Sequence, residues 1–366
     1  MEDKNLINFL NENSIDIPKN IKFGVVNLPS NLFVGDKISD SKKQQFHAGM
    51  KFTFSKPEFS GLGDKFNWSK TAIVLALSYK NNIKISSTTK PGYGHIAGFA
   101  QQDYYLPLKK FISEIEEVFS KYDFRSTSFV DSPSHYDRLF FENSGLGWQG
   151  KSTMMLTPVT GPWQLLGTIY VDQIFESTQQ GSFSCGNCNL CQISCPTGAL
   201  NNEYVLDSRK CISYWLQSPE IVPYDIRIAI GNKFYGCDDC LTSCPPGQDR
   251  NLLTISNSKQ NINLESIILS NDDELLNKFY WFYIPKRNPI YLKRNAIIAL
   301  ANNPNKNTLN FFLDAYLLLD IELRKYLLWG FWRLSNLSSV KELIIKYDFN
   351  NQEIIDEYEK LKGMIS

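Results

Sequence analysis

Cysteine is missing from almost the whole chain. All eight cysteines lie between Cys185 and Cys244, and none precedes or follows that segment. A disulfide framework would spread its cysteines through the fold, so clustered ones point to metal instead. Histidine is scarce as well. Only His47, His95 and His135 occur, far apart in sequence. Net charge is absent too: Lys+Arg and Asp+Glu each total 38. No global basic field draws in nucleic acid or an anionic membrane, so any such contact must use a local patch. No apolar run approaches the ~20 residues of a membrane helix. The N-terminus, MEDKNLINFLNEN, is acidic and amphipathic. It lacks the basic start, apolar run and cleavage site of a signal peptide, and it has no twin arginine. A soluble, cytoplasmic protein without membrane contact is expected.

What remains is 366 residues, 43% of them hydrophobic, enough for two or three cores. The first part reads as mixed α/β. KFGVVNL (22–28) and TAIVLALSY (71–79) have the apolar runs of buried strands. DYYLPLKKFISEIEEVFSKY (103–122) carries apolar residues at helical spacing. RSTSFVD (125–131) reads as a short strand that Asp131 ends. Ser132 fits the N-cap of a following helix, Pro133 its first turn and Gly145 its end. KSTMMLTP (151–158) and WQLLGTIYVDQ (163–173) read as a hairpin turned at VTGP. After a polar linker near 248–262, YLKRNAIIALANNP, TLNFFLDAYLL and IELRKYLLWGFWRL read as short helices of a repeat-like tail. The expected division is an α/β domain over 1–180, a cysteine module over 181–250 and a helical tail over 260–366.

Cys185-x2-Cys188-x2-Cys191-x3-Cys195-Pro196 is the spacing of a bacterial ferredoxin. Three clustered thiolates wrap one [4Fe–4S] cube, and the fourth, before proline, reaches a second. Structural zinc more often shows two cysteine pairs on a longer spacer. The second run, Cys237-x2-Cys240-x3-Cys244-Pro245, lacks a leading cysteine. The one left over is Cys211. The crossover rule then assigns Cys185, Cys188, Cys191 and Cys244 to cluster one. Cluster two takes Cys195, Cys211, Cys237 and Cys240. No free thiol remains for nucleophilic catalysis. Two close clusters make an electron wire, and their place inside a larger chain suggests delivery to a site in the same protein.

Asp131, between a strand end and a helix start, holds a usual position for a functional group in α/β domains. GLGWQGK (145–151) is glycine-rich, but it is neither GxGxxG nor a Walker loop, and a helix cap running into a turn accounts for it. The order of VDS-x5-R, GLGWxGK, Trp163-x3-Gly167, the two cysteine runs and RKCISY resembles that of epoxyqueuosine reductases. The resemblance is strongest over about 124–247 and faint in the first sixty residues.

It implies a cobalamin-binding domain resembling a nitroreductase-like fold, a ferredoxin-like double-cluster module and an all-α HEAT-like tail. The implied cofactors are cobalamin and two [4Fe–4S] clusters. The implied reaction converts epoxyqueuosine to queuosine in a tRNA anticodon loop, with Asp131 as proton donor. The cobalamin contacts fall on Met155, Leu166, Ser213, Cys237 and Asp238. A low-potential electron donor is implied, and a monomer is expected. No DxHxxG motif offers a lower cobalt ligand, and His135 reads as a surface or packing residue. The chain departs from the family at Tyr105, where His is common, at Gln149 and at Ser152. These departures keep open a related reductase of a small oxidised molecule. An electron-transfer protein without its own chemistry is the third reading. Lys286, Arg287, Lys293 and Arg294 read as a basic patch for phosphates, or as a solvated helix face.

Overall fold

The computed structural model describes residues 5–28, 35–50, 66–83, 90–133, 135–248, 262–348 and 350–364. The polar linker lies largely outside them. Among the described residues the strands are β1 (Ile21–Asn27), β2 (Thr71–Ser78), β3 (Tyr93–Ile96), β4 (Ser126–Val130), β5 (Trp148–Gln149), β6 (Met155–Leu156), β7 (Gln164–Val171), β8 (Lys233–Tyr235) and β9 (Ile262–Asn263). The chain divides into two compact units. The first comprises 1–83, 102–211 and 238–252, and the second 84–101, 212–237 and 253–366.

The first unit is built on an antiparallel sheet of order β1-β2-β7-β4. β2 is central and buried along nearly its whole length, which explains its unbroken apolar run TAIVLAL. Its side chains alternate between the two faces. Ala72, Val74 and Ala76 join a core with Leu139, Phe140, Phe141 and Tyr170. Phe140 and Phe141 belong to the helix Asp137–Asn143, so that helix covers this face. Gly167, opposite Leu75 in the register, marks the other face. There the helix Tyr105–Lys121 buries Leu108, Phe111, Ile112, Ile115, Val118 and Phe119, the stripe its sequence spacing called for. A side chain at residue 167 would collide with Ile112, so glycine lets this helix approach the sheet.

Two local expectations are corrected. The segments 151–158 and 163–173 do not pair as a hairpin. β7 is flanked by β2 and β4, which take both its edges, and β6 turns back onto β5 instead. Thr157 and Gly161 form only an isolated bridge. The helix expected from Ser132 begins at Asp137, with Tyr136 as its cap residue. Gly145 does end it, at φ 74 after Ser144.

Within the first unit, the two cysteine runs each carry a one-turn helix among loops. Leu190–Ile193 and Asp239–Thr242 carry equivalent positions of the two cysteine runs. Ser194 and Ser243, each one residue before the cysteine that precedes proline, share a 2.8 Å hydroxyl contact.

The second unit joins a small sheet of order β8-β3-β9 to helices that include Ile290–Asn302, Thr308–Tyr316, Ile321–Leu334, Leu337–Tyr347 and Gln352–Gly363. Ile290–Asn302 runs through its core. Residues 294–301 are all buried, so this helix is enclosed rather than amphipathic. That overturns half of the basic patch. Arg294 is 3% exposed. Its guanidinium donates to the carbonyls of Trp215, Ser218 and Glu220 at 2.9–3.0 Å and to Asn295 Oδ1. It ties the helix to the 212–220 segment. Lys293 is paired with Asp272 at 2.6 Å. Arg287 caps the carbonyls of Leu276, Tyr280 and Phe282.

Removing the Arg294 guanidinium strands the buried carbonyls of Trp215 and Ser218 and the part-buried one of Glu220. Arg294→Met is expected to lower unfolding stability by about 2–4 kcal/mol, read as a reduced denaturant midpoint. A change within a few tenths of a kcal/mol would contradict the structural role.

Candidate functional site

Asp131 follows directly on β4. Its φ of 51 lies in the left-handed region, unusual for a residue other than glycine, asparagine or aspartate. The turn leaves the Asp131 side chain exposed at the mouth of a cleft of about 180 Å³. Tyr105, Asp137, Arg138, Met154, Met155, Gln164, Leu165 and Leu166 complete the lining. The cleft therefore brings together three residues named from sequence: Asp131, Met155 and Leu166. Gln164 is fixed by its amide, which donates to the Met155 carbonyl at 2.6 Å. That bond holds β7 against the short β5–β6 hairpin.

Asp137 carried no signal that sequence reasoning used, although it sits six residues after Asp131. Its carboxyl is 21% exposed and is pushed up to about 7, first by burial and then by the charge of Asp131. Arg138 opposes this. Beside it, His135 is buried and stacks between Phe129 and Phe140 at 4.8 and 4.9 Å. Tyr170 Oη lies 3.1 Å from His135 Nδ1. Asp137 Oδ1 lies 3.2 Å from His135 Nε2. Burial pushes the imidazole down to about 3, so it stays neutral. His135 is a packing residue, as one of its two sequence readings had it.

The thiols fall into groups. Cys244 is pushed up to about 12, by burial and then by Cys185, Cys191 and Cys188. Cys240 is pushed up by burial, then by Cys211, Asp238, Cys195 and Cys191, so Cys191 acts on both groups. Thiols that raise one another this way become thiolates together only around compensating positive charge. Among the described residues, no three His, Cys, Asp or Glu side chains converge on a point where a single ion could sit. A cube of four irons needs no such point, because each thiolate meets its own iron. Grouped thiolates are the kind of donor that iron–sulfur cubes use. Asp238, 5% exposed, starts the Asp239–Thr242 turn in this first unit. Ser213 and Cys237 belong to the second unit. Ser213 lies on the helix Ile212–Gln217, where its carbonyl and hydroxyl accept from the Gln217 amide.

The GLGWQGK stretch forms no phosphate loop. Gly147 has no room for a side chain against the Leu156 carbonyl, and Trp148–Gln149 pairs with Met155–Leu156. Lys151 is 6% exposed, with Nζ 2.7 Å from Glu203.

Residues 184–247 match the family described as a 4Fe-4S double cluster binding domain. The chain is 30% identical over 286 residues to an epoxyqueuosine reductase of Aliivibrio fischeri, covering 75% of each chain. It is 33% identical over 230 residues to that of Vibrio cholerae, covering 60% of this chain and 62% of the relative. Among solved structures it resembles an epoxyqueuosine reductase determined with an epoxyqueuosine-modified tRNA-Tyr stem loop. That likeness has a TM-score of 0.79 at 25% identity, over 97% of this chain and 96% of the other. A second, selenomethionine-labelled epoxyqueuosine reductase shares the fold at TM-score 0.81 and 24% identity, over 97% and 96%.

The Asp137 shift makes a prediction about stability. The folded protein keeps this proton at pH values where the unfolded chain has lost it. Stability from Asp137 is therefore full below about pH 4 and is lost as pH rises to about 7. Asp137→Asn is expected to match the parent at about pH 4 and to exceed it above pH 7, by on the order of a few kcal/mol. Chemical denaturation of both proteins across this range checks it, and parallel pH curves would refute it.

Proposed function

The chain belongs to the epoxyqueuosine reductase family, and we propose that it reduces the epoxide of epoxyqueuosine in a tRNA anticodon loop to give queuosine, using two [4Fe–4S] clusters and cobalamin. Opening and deoxygenating an epoxide consumes two electrons and two protons and releases the oxygen as water. Bound cobalamin would supply a strongly reducing metal centre, recharged one electron at a time through the clusters. The protein's own task is to bind the substrate, exclude water and move protons.

One observation carries the reading: Asp131, in a left-handed turn at a strand end, opens onto a cleft shared with Met155 and Leu166. Its carboxyl protonates the departing oxygen, as a positioned acid must. The apolar wall of Met154, Met155, Leu165 and Leu166 offers a surface for the flat, largely apolar face of a corrin. Met155, Leu166, Ser213, Cys237 and Asp238 are the residues that would contact it. Asp137, kept largely neutral up to about pH 7, spares the cleft a second fixed negative charge.

In this reading 1–180 is the nitroreductase-like cobalamin domain, 181–250 the double-cluster module and 260–366 a HEAT-like tail. The protein works as a cytoplasmic monomer fed by a low-potential donor. Cys185, Cys188, Cys191 and Cys244 hold one cluster; Cys195, Cys211, Cys237 and Cys240 hold the other. Of the 286–294 cations, Arg294 is buried and Lys293 is paired, which leaves the exposed Lys286 and Arg287 for tRNA phosphates.

A small oxidised substrate is the second reading. It is favoured by Tyr105, a departure from the family pattern that lines the cleft itself. Anticodon stem-loop RNA separates the two, because a retarded band at low salt is expected only for the first.

The direct test is anaerobic reconstitution with iron, sulfide and cobalamin, incubation with epoxyqueuosine-containing tRNA, and nucleoside mass spectrometry. Queuosine is the expected product. Asp131→Asn should lower the rate by roughly 100-fold or more while retaining both clusters. Undiminished turnover by that variant would remove Asp131 from the mechanism.

A further inference from the structure

The GLGWQGK stretch reads as a helix cap and turn, yet its Trp148 side chain reaches a cysteine of the first run. Trp148 Nε1 donates a hydrogen bond to Cys185 Sγ at 3.4 Å. The indole is held on both sides of its attachment. Gly147 permits the tight approach to Leu156, and the ladder to Leu156 fixes the Trp148 backbone. Phe183, two residues before Cys185, stacks on the indole at 5.5 Å and 25°. Nothing in helix capping or turn formation calls for an indole donor here. Phenylalanine would pack on Phe183 equally well.

We propose that Trp148 is a tuning residue that raises the reduction potential of the cluster ligated by Cys185. A thiolate bound to iron carries more negative charge when the cluster is reduced. An N–H donor aimed at that sulfur stabilises the reduced state more than the oxidised one. Hydrogen bonds to cluster sulfurs are among the main determinants of cluster potential. The two cysteine runs are otherwise alike, each a Cys-x2-Cys-x3-Cys-Pro sequence carrying one helical turn. The Trp148 bond falls on Cys185, the leading cysteine that the second run lacks. It makes the two potentials unequal and so gives the wire a preferred order of reduction.

The inference rests on Cys185 being a cluster ligand, and iron content separates failure of that assignment from failure of this one. The full-length chain is reconstituted anaerobically and titrated with a reductant while electron paramagnetic resonance follows both clusters. In Trp148→Phe, one midpoint potential is expected to move to a more negative value, with the other unchanged and iron content equal to the parent. Phe183→Leu, which keeps the donor and removes the stacking ring, is expected to leave both midpoints in place. Unchanged midpoints in a fully loaded Trp148→Phe protein overturn the proposal, as does an equal shift in Phe183→Leu. Should Trp148→Phe fail to load, the parent protein with nitrogen-labelled tryptophan decides. Hyperfine coupling of an indole nitrogen to a reduced cluster is expected, and its absence overturns the proposal.

Discussion

Four thiolates cannot share a small volume without positive charge between them. That repulsion is the constraint on which the middle of this protein depends. Burial raises both Cys244 and Cys240 first; Cys185, Cys191 and Cys188 then raise Cys244, and Cys211, Asp238, Cys195 and Cys191 raise Cys240. Without metal the segment prefers neutral thiols; with iron, the same proximity becomes ligation. The local helices are only one turn long. Such turns have little stability of their own, so metal binding and the folding of this segment belong to one free-energy balance.

The cleft in the first unit is shaped by backbone rather than by charge alone. β4 ends in a left-handed residue, and that residue is an aspartate. The next helix starts late, at Asp137, which leaves room for Asp131 and places a second carboxyl in the lining. Behind it, Phe129, His135, Phe140 and Tyr170 form a packed cluster. A neutral, stacked imidazole holds the wall without adding a cation that would pull the raised pKa of Asp137 back down. The metal module and the cleft meet in the β5–β6 hairpin. Trp148 on β5 reaches the Cys185 sulfur, and Met155 on β6 lines the cleft.

Much of this was legible in the chain because it is local. The cysteine spacings, the buried run of β2 and the stripe of Tyr105–Lys121 all act over a few residues. The failures are tertiary. KSTMMLTP and WQLLGTIYVDQ look like hairpin strands, but β7 is central and both its edges are taken. Ser132 and Pro133 have good helix-start chemistry, yet the chain needs the turn at Asp131 first. Arg294 looks like one cation of a patch, and only the carbonyls of Trp215, Ser218 and Glu220 reveal its role. Asp137 gave no pattern, since its significance comes from burial beside Asp131. The donor aimed by Trp148 at Cys185 spans 37 residues, beyond the reach of any motif.

The central claim is that all eight thiols are used, four to a cube, with Cys211 as the displaced ligand of the second run. Iron quantification of anaerobically reconstituted Cys211→Ala, alongside the parent, tests it most directly. The account predicts two clusters per chain in the parent and one intact cluster in the variant, with the spectrum of the Cys185 cluster preserved. Two intact clusters in Cys211→Ala would contradict it.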